Sequence, residues 1–164
     1  MANLNERLSF EHAELKVRRA FLRTPERIRL DPPTRLYRWT NPSSFDGSHI
    51  ATWWSFVEST RLPSGKVADG FLVSEERAAR IGRSHQKFAR ARAAISDQFG
   101  NTMAELLMVK VIQSVWGFAG QASGQREFGD SDAEVRHVFL IGGAYQLWIP
   151  NLTLQHVTQI PLRV

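Results

Sequence analysis

Apolar positions along the chain follow two periods. Phe10, Ala13, Val17 and Phe21 recur at helical spacing over residues 9 to 23, with Ser9 at the N-cap position and Glu11 and Glu14 in the first turns. Thr24-Pro25-Glu26 could start a short further turn, which Asp31-Pro32-Pro33 ends, because proline lacks a donor and biases its predecessor away from helix. The period then changes to two. Leu36-Tyr37-Arg38-Trp39-Thr40 reads as a strand with Leu36, Arg38 and Thr40 on one face, and Asn41-Pro42-Ser43-Ser44 ends it. Ser48 to Phe56 is aromatic without helical spacing, and Val67 to Val73 reads as a short strand. Residues 75 to 95 form a second predicted helix with Ile81, Phe88 and Ile95 on one side and Arg80, Arg83, Lys87 and Arg90 on the other.

The most apolar stretch, Glu105 to Trp116, predicts one long strand covered on both faces, and residues 117 to 132 predict a mobile, substrate-facing flap. Residues 134 to 141 and 156 to 162 predict further strands. Between them stands Gly142-Gly143-Ala144-Tyr145-Gln146-Leu147-Trp148-Ile149-Pro150-Asn151: a glycine pivot, a strand with one amide among apolar neighbours, and a Pro-Asn turn. An unpaired buried amide costs roughly 1–3 kcal/mol, so Gln146 is either hydrogen-bonded or exposed in a pocket. Trp53 and Trp54 are adjacent and must face opposite sides of a strand; they either pack on the two sides of a sheet or offer one ring to a ligand.

Together these elements predict an α+β fold, two small packed β-sheets with N-terminal and central helices. The 164 residues are read as a single domain, 1–33 a helical extension and 34–164 a β-rich core. No apolar run approaches the ~18 residues of a membrane span.

Zero cysteines remove disulfides, thiolate metal sites and cysteine nucleophiles. The start lacks the basic and apolar regions of a signal peptide, so the expected location is cytoplasmic, or a target cell reached by a non-classical route. Twenty-one Lys and Arg against sixteen Asp and Glu give a net charge of +5, a field that attracts phosphates. The basic side of the second helix is either a solvated face or a nucleic-acid contact. Five scattered histidines without ligand spacing argue for no metal, and no phosphate-binding glycine loop or Gly-x-Ser-x-Gly turn is present.

The order Leu36-Tyr37-Arg38, Thr52-Trp53-Trp54-Ser55 and Gly142-Gly143-Ala144-Tyr145-Gln146 resembles the ADP-ribosyltransferase toxin superfamily, and the last piece is similar to NAD-glycohydrolase toxins. The resemblance implies an ADP-ribosyltransferase-like fold and an NAD-cleaving enzyme. It would release nicotinamide and pass ADP-ribose to a protein or nucleic-acid acceptor, or to water. It further implies a restraining immunity protein or antitoxin. NAD is then the substrate. Arg38 would hold its pyrophosphate, for which a planar guanidinium suits better than an ammonium. Ser55 or Thr52 would orient the nicotinamide ribose, Trp53 or Trp54 would stack near the nicotinamide, and Gln146 would bond ribose hydroxyls as an oxocarbenium-like charge develops. Gly142, Gly143 and Tyr145 would complete the cofactor wall. Trp148 stands where transferases of the Gln-x-Glu type place a glutamate, so either Gln146 takes the catalytic position, or a carboxylate comes from elsewhere, such as Glu127 or Glu134, or the fold persists without catalysis.

Two rival readings remain. One is a basic nucleic-acid-binding protein or ribonuclease-type toxin, with His85, His137 or His156 as acid or base. The other is a non-catalytic partner-binding module using Trp53, Trp54 and Trp148.

Overall fold

The computed structural model describes residues 2–40, 45–46, 49–92, 105–123, 125–128, 135–140 and 143–161. It is an α+β fold, mostly β, built on a curled antiparallel sheet. Seven strands make that sheet: β1 (Glu26–Leu30), β2 (Arg35–Thr40), β5 (Trp53–Phe56), β8 (Glu105–Val111), β9 (Val115–Gln121), β12 (Tyr145–Trp148) and β13 (Val157–Gln159). They lie in the order β1-β9-β12-β5-β2-β8-β13. Three two-stranded ribbons accompany it: β3 (Phe45–Asp46) with β4 (His49–Ile50), β6 (Thr60–Arg61) with β7 (Val67–Ala68), and β10 (Gln125–Phe128) with β11 (Val135–Leu140). The expected pair of small packed sheets is thus replaced by one bent sheet.

The bend follows from what is buried. Ile28 and Leu30 of one edge strand join the same apolar cluster as Val157 of the other edge. Leu36, Trp54, Val109, Val111, Val115 and Leu147 belong to it too. Strands far apart in the order can share one core only if the sheet curls around it. Burying this face removes several side chains entirely from water, at roughly 1.5–3 kcal/mol for each Val, Leu or Ile.

The outer face carries two smaller clusters. Phe118 and Trp148 meet Ala13, Val17 and Phe21 of the N-terminal segment. Tyr37 and Met108 meet Val57 and Phe71, the latter on α2 (Phe71–Arg80).

Several elements differ from the expectations. Residues 9 to 23 hold only a 3-10 turn, Phe10–His12, and a short helix α1, Leu15–Arg19. A longer helix would carry Phe21 away from the sheet, where instead it bridges Ala122. Glu26–Leu30, expected as a turn, is strand β1, paired along Ala119 to Val115 of β9. The predicted strand 67 to 73 ends at Ala68, and Phe71 begins α2. Nor is the second helix continuous: α2 stops at Arg80, Gly82 has φ +69, and α3 (His85–Arg92) begins anew. The apolar stretch from 105 is two antiparallel strands, β8 and β9, joined by a turn at 112–114. Residues 117 to 121, expected in the flap, form part of β9 inside the sheet. Glycine there fits close packing: a Cβ on Gly117 would sit 3.0 Å from Ile149 Cγ1, and one on Gly120 2.9 Å from Phe21 Cδ1. Strands β2, β11, β12 and β13 lie where the alternation places them.

Candidate functional site

The strands carrying Gln146, Ser55 and Arg38 are neighbours, in the order β12, β5, β2. Strand parity then decides which of their side chains meet. Tyr37 is opposite Ser55, and Trp148 is opposite Trp53, while Gln146 is opposite Gly120. Side chains two residues apart, or directly opposed, share a face. Gln146, Ser55, Trp53 and Tyr37 therefore lie on the outer face. Arg38, offset by one from Tyr37, lies on the inner face beside Trp54, with Leu107 directly opposite it on β8.

The outer-face residues are engaged with the protein itself. Gln146 Nε2 donates to the Ala20 carbonyl at 3.0 Å, so the amide ties β12 to the N-terminal segment. Ser55 hydrogen-bonds the Tyr37 hydroxyl, which also bonds Ser74 on α2. Burial raises the Tyr37 pKa to about 12, with these two bonds acting the other way. Trp53 sits 5.4 Å from the Phe21 ring and 6.5 Å from Trp148. The expected single cleft built from Arg38, Ser55 and Gln146 is thus split across the sheet: the first points inward and the other two outward beneath α2 and the N-terminal segment.

Of the remaining expected residues, Thr52 lends its carbonyl to the Ile149 amide at 2.7 Å. Gly143 has φ +91, a left-handed conformation suited to glycine, and its carbonyl accepts from Gln121 Nε2 at 3.2 Å. Tyr145 is half-buried and packs against the inner core. Gly142, Glu134 and the Glu127 side chain lie outside the described residues.

The inner face offers a different chemistry. Arg38 Nη1 donates to the Trp53 carbonyl at 3.2 Å, its Nε has no partner among the described residues, and its guanidinium carbon is 5.9 Å from the centre of the Trp54 ring. No carboxylate pairs with it among the described residues. Burial lowers its pKa to about 10, which leaves it charged at neutral pH. Thr40 is directly opposite Glu105 on β8, one same-face step from Arg38. Glu105 is exposed and shares the Arg38 face. Sequence reading missed it, because only the β2–β8 register, spanning about seventy residues of chain, brings the two together. Its one sequence signal was shared parity with Leu107.

No three His, Asp or Glu side chains group as metal ligands among the described residues. No family model, curated protein or solved structure matches this chain.

Proposed function

We propose that the inner face of the curled sheet at Arg38 binds an anionic ligand and that this ligand is NAD, cleaved to nicotinamide with ADP-ribose passing to a macromolecule or to water. The observation that carries the reading is the Arg38 guanidinium, part-buried, charged and without a carboxylate among the described residues. A buried cation is expensive unless paired, and a pyrophosphate would supply the paired, charge-assisted bonds that Nε and the terminal nitrogens offer. The resemblance to ADP-ribosyltransferase toxins supplies NAD as the particular ligand.

Parity changes the roles. Arg38 takes the pyrophosphate, while Trp54, on the same face, is packed in the core and backs the guanidinium rather than meeting the ligand. Gln146, Ser55 and Trp53 are structural. A group that stabilises oxocarbenium-like charge would come from the Arg38 face, where Glu105 lies one same-face step away across the β2–β8 register. A toxin of this kind would be restrained by an immunity protein or antitoxin.

The test joins calorimetric titration with NAD to an assay of nicotinamide release. Arg38→Ala is expected to weaken NAD binding at least tenfold, while Arg38→Lys, keeping the charge but losing the fork, recovers part of it. Glu105→Gln is expected to slow release with little change in binding. Gln146→Ala should retain both. Absence of NAD binding at millimolar concentration, together with no nicotinamide release, overturns the reading.

A further inference from the structure

The start of α3 holds a histidine in an unusual setting. His85 is 8% exposed and lies among three aromatic rings, Phe71 at 4.6 Å, Trp39 at 5.8 Å and Tyr37 at 5.9 Å. Neither of its ring nitrogens has a hydrogen-bond partner among the described residues. A phenylalanine would fill such a site without leaving two polar atoms unsatisfied. The position instead carries a ring that can take up a proton.

His85 is the buried side chain among the described ones of α3, with Gln86, Phe88 and Ala89 half-buried. Ahead of it, Gly82 at φ +69 separates α3 from α2, and Ser84 caps the new helix through its contact with the Lys87 amide at 3.3 Å. The turn at 81–83 is closed on the end of α2 by the amides of Ile81, Gly82 and Arg83, so α3 is a separate helix that starts after it.

We propose that His85 is an acid-sensitive latch: protonation of its imidazole undocks α3 from the Tyr37–Trp39–Phe71 ring cluster and uncovers that aromatic surface. Among the described side chains around it, none offers an imidazolium a free counter-charge. From β2 comes Tyr37, whose hydroxyl stays neutral. On α2, Arg77 pairs with Asp69 and Arg80 with Glu76, and Glu75 is exposed to water. β11, which also approaches α3, brings Arg136 and His137 in its sequence. α3 itself adds Lys87, which is exposed and opposes a new positive charge.

The sign follows from burial, which lowers the His85 pKa to about 4 from an ordinary 6.5. The undocked form binds the proton more tightly. Docking is thus fully favoured above pH 6.5, weakens as pH falls through the window from 6.5 to about 4, and changes no further below it. Over that window the opening equilibrium should rise on the order of a hundredfold.

Amide exchange of residues 86–92, measured by NMR on the full chain from pH 7.5 to 4.5 and corrected for intrinsic rates, tests this. Protection in α3 is expected to fall with pH while that of β8 and β9 holds. In His85→Phe the α3 loss should disappear, and in His137→Gln it should remain. His85→Leu gives the same reading if the phenylalanine variant does not fold. Three results would each overturn the latch: an α3 transition that survives both His85 substitutions, one abolished by His137→Gln, or a His85 ring signal that titrates near 6.5 with α3 still protected.

Discussion

Gln146 shows how one side chain can invite a catalytic reading and serve a structural one. An amide in an apolar strand must find partners, and this one finds the carbonyl of Ala20, which also accepts from the Ser123 amide at 2.9 Å. Gln146→Ala should therefore lower stability by about 0.5–1.5 kcal/mol in a denaturant titration and leave ligand binding intact. A glycine makes the opposite case, where no side chain is tolerated. A Cβ on Gly70 would lie 2.4 Å from the Ser59 nitrogen and 2.5 Å from the Val57 oxygen, both backbone atoms that cannot turn aside. Gly70→Ala should cost ~3 kcal/mol or more, since α2 would have to lift from the sheet. Thermal unfolding followed by circular dichroism would measure it.

At the scale of elements, the N-terminal segment behaves as a cover laid on the outer face. Its anchors are rings: Phe10 lies 5.3 Å from Phe118 and meets Trp148 edge to face at 6.2 Å, and Phe21 lies 5.4 Å from Trp53. Phe21→Ala should remove about 3–5 kcal/mol and expose residues 8–23 to limited proteolysis before the sheet unfolds. The amphipathic pattern of this segment was legible, as was the parity that puts Trp53 and Trp54 on opposite sides of the sheet. Its shortness as a helix was not, because Phe21 gains more by lying on Gly120 than by completing a turn. The same cause hid β9. Gly117 and Gly120 look like loop residues locally, yet they are the places where Ile149 and Phe21 approach the backbone. The candidate site was legible to the level of neighbouring strands. Which faces met was not, because that depends on registers between segments up to about a hundred residues apart, and a shift of one residue reverses every side chain.

For the whole molecule, the decisive act is closure of the curl, since Arg38 and Trp54 face a shared interior only while the sheet stays bent. Part of that closure is made at the β1 edge, where the Glu26 carboxylate accepts from the Ser64 amide at 2.6 Å and from the Ser64 hydroxyl at 2.7 Å. These bonds bring the turn between β6 and β7 against an edge strand whose paired neighbour in the sheet, among the described residues, is β9. Two bonds to a charged acceptor at an exposed position contribute on the order of 1.5 kcal/mol, and at ~2–4 °C per kcal/mol Glu26→Ala should lower the melting temperature by about 3–6 °C. If closure also sets the position of Arg38, the same variant should weaken the proposed NAD binding although Glu26 lies far along the sheet order from β2. Unchanged affinity with the expected loss of melting temperature would mean that the position of Arg38 is fixed by the inner core alone, through Leu36, Trp54 and Leu147, and that the β1 seam contributes only stability.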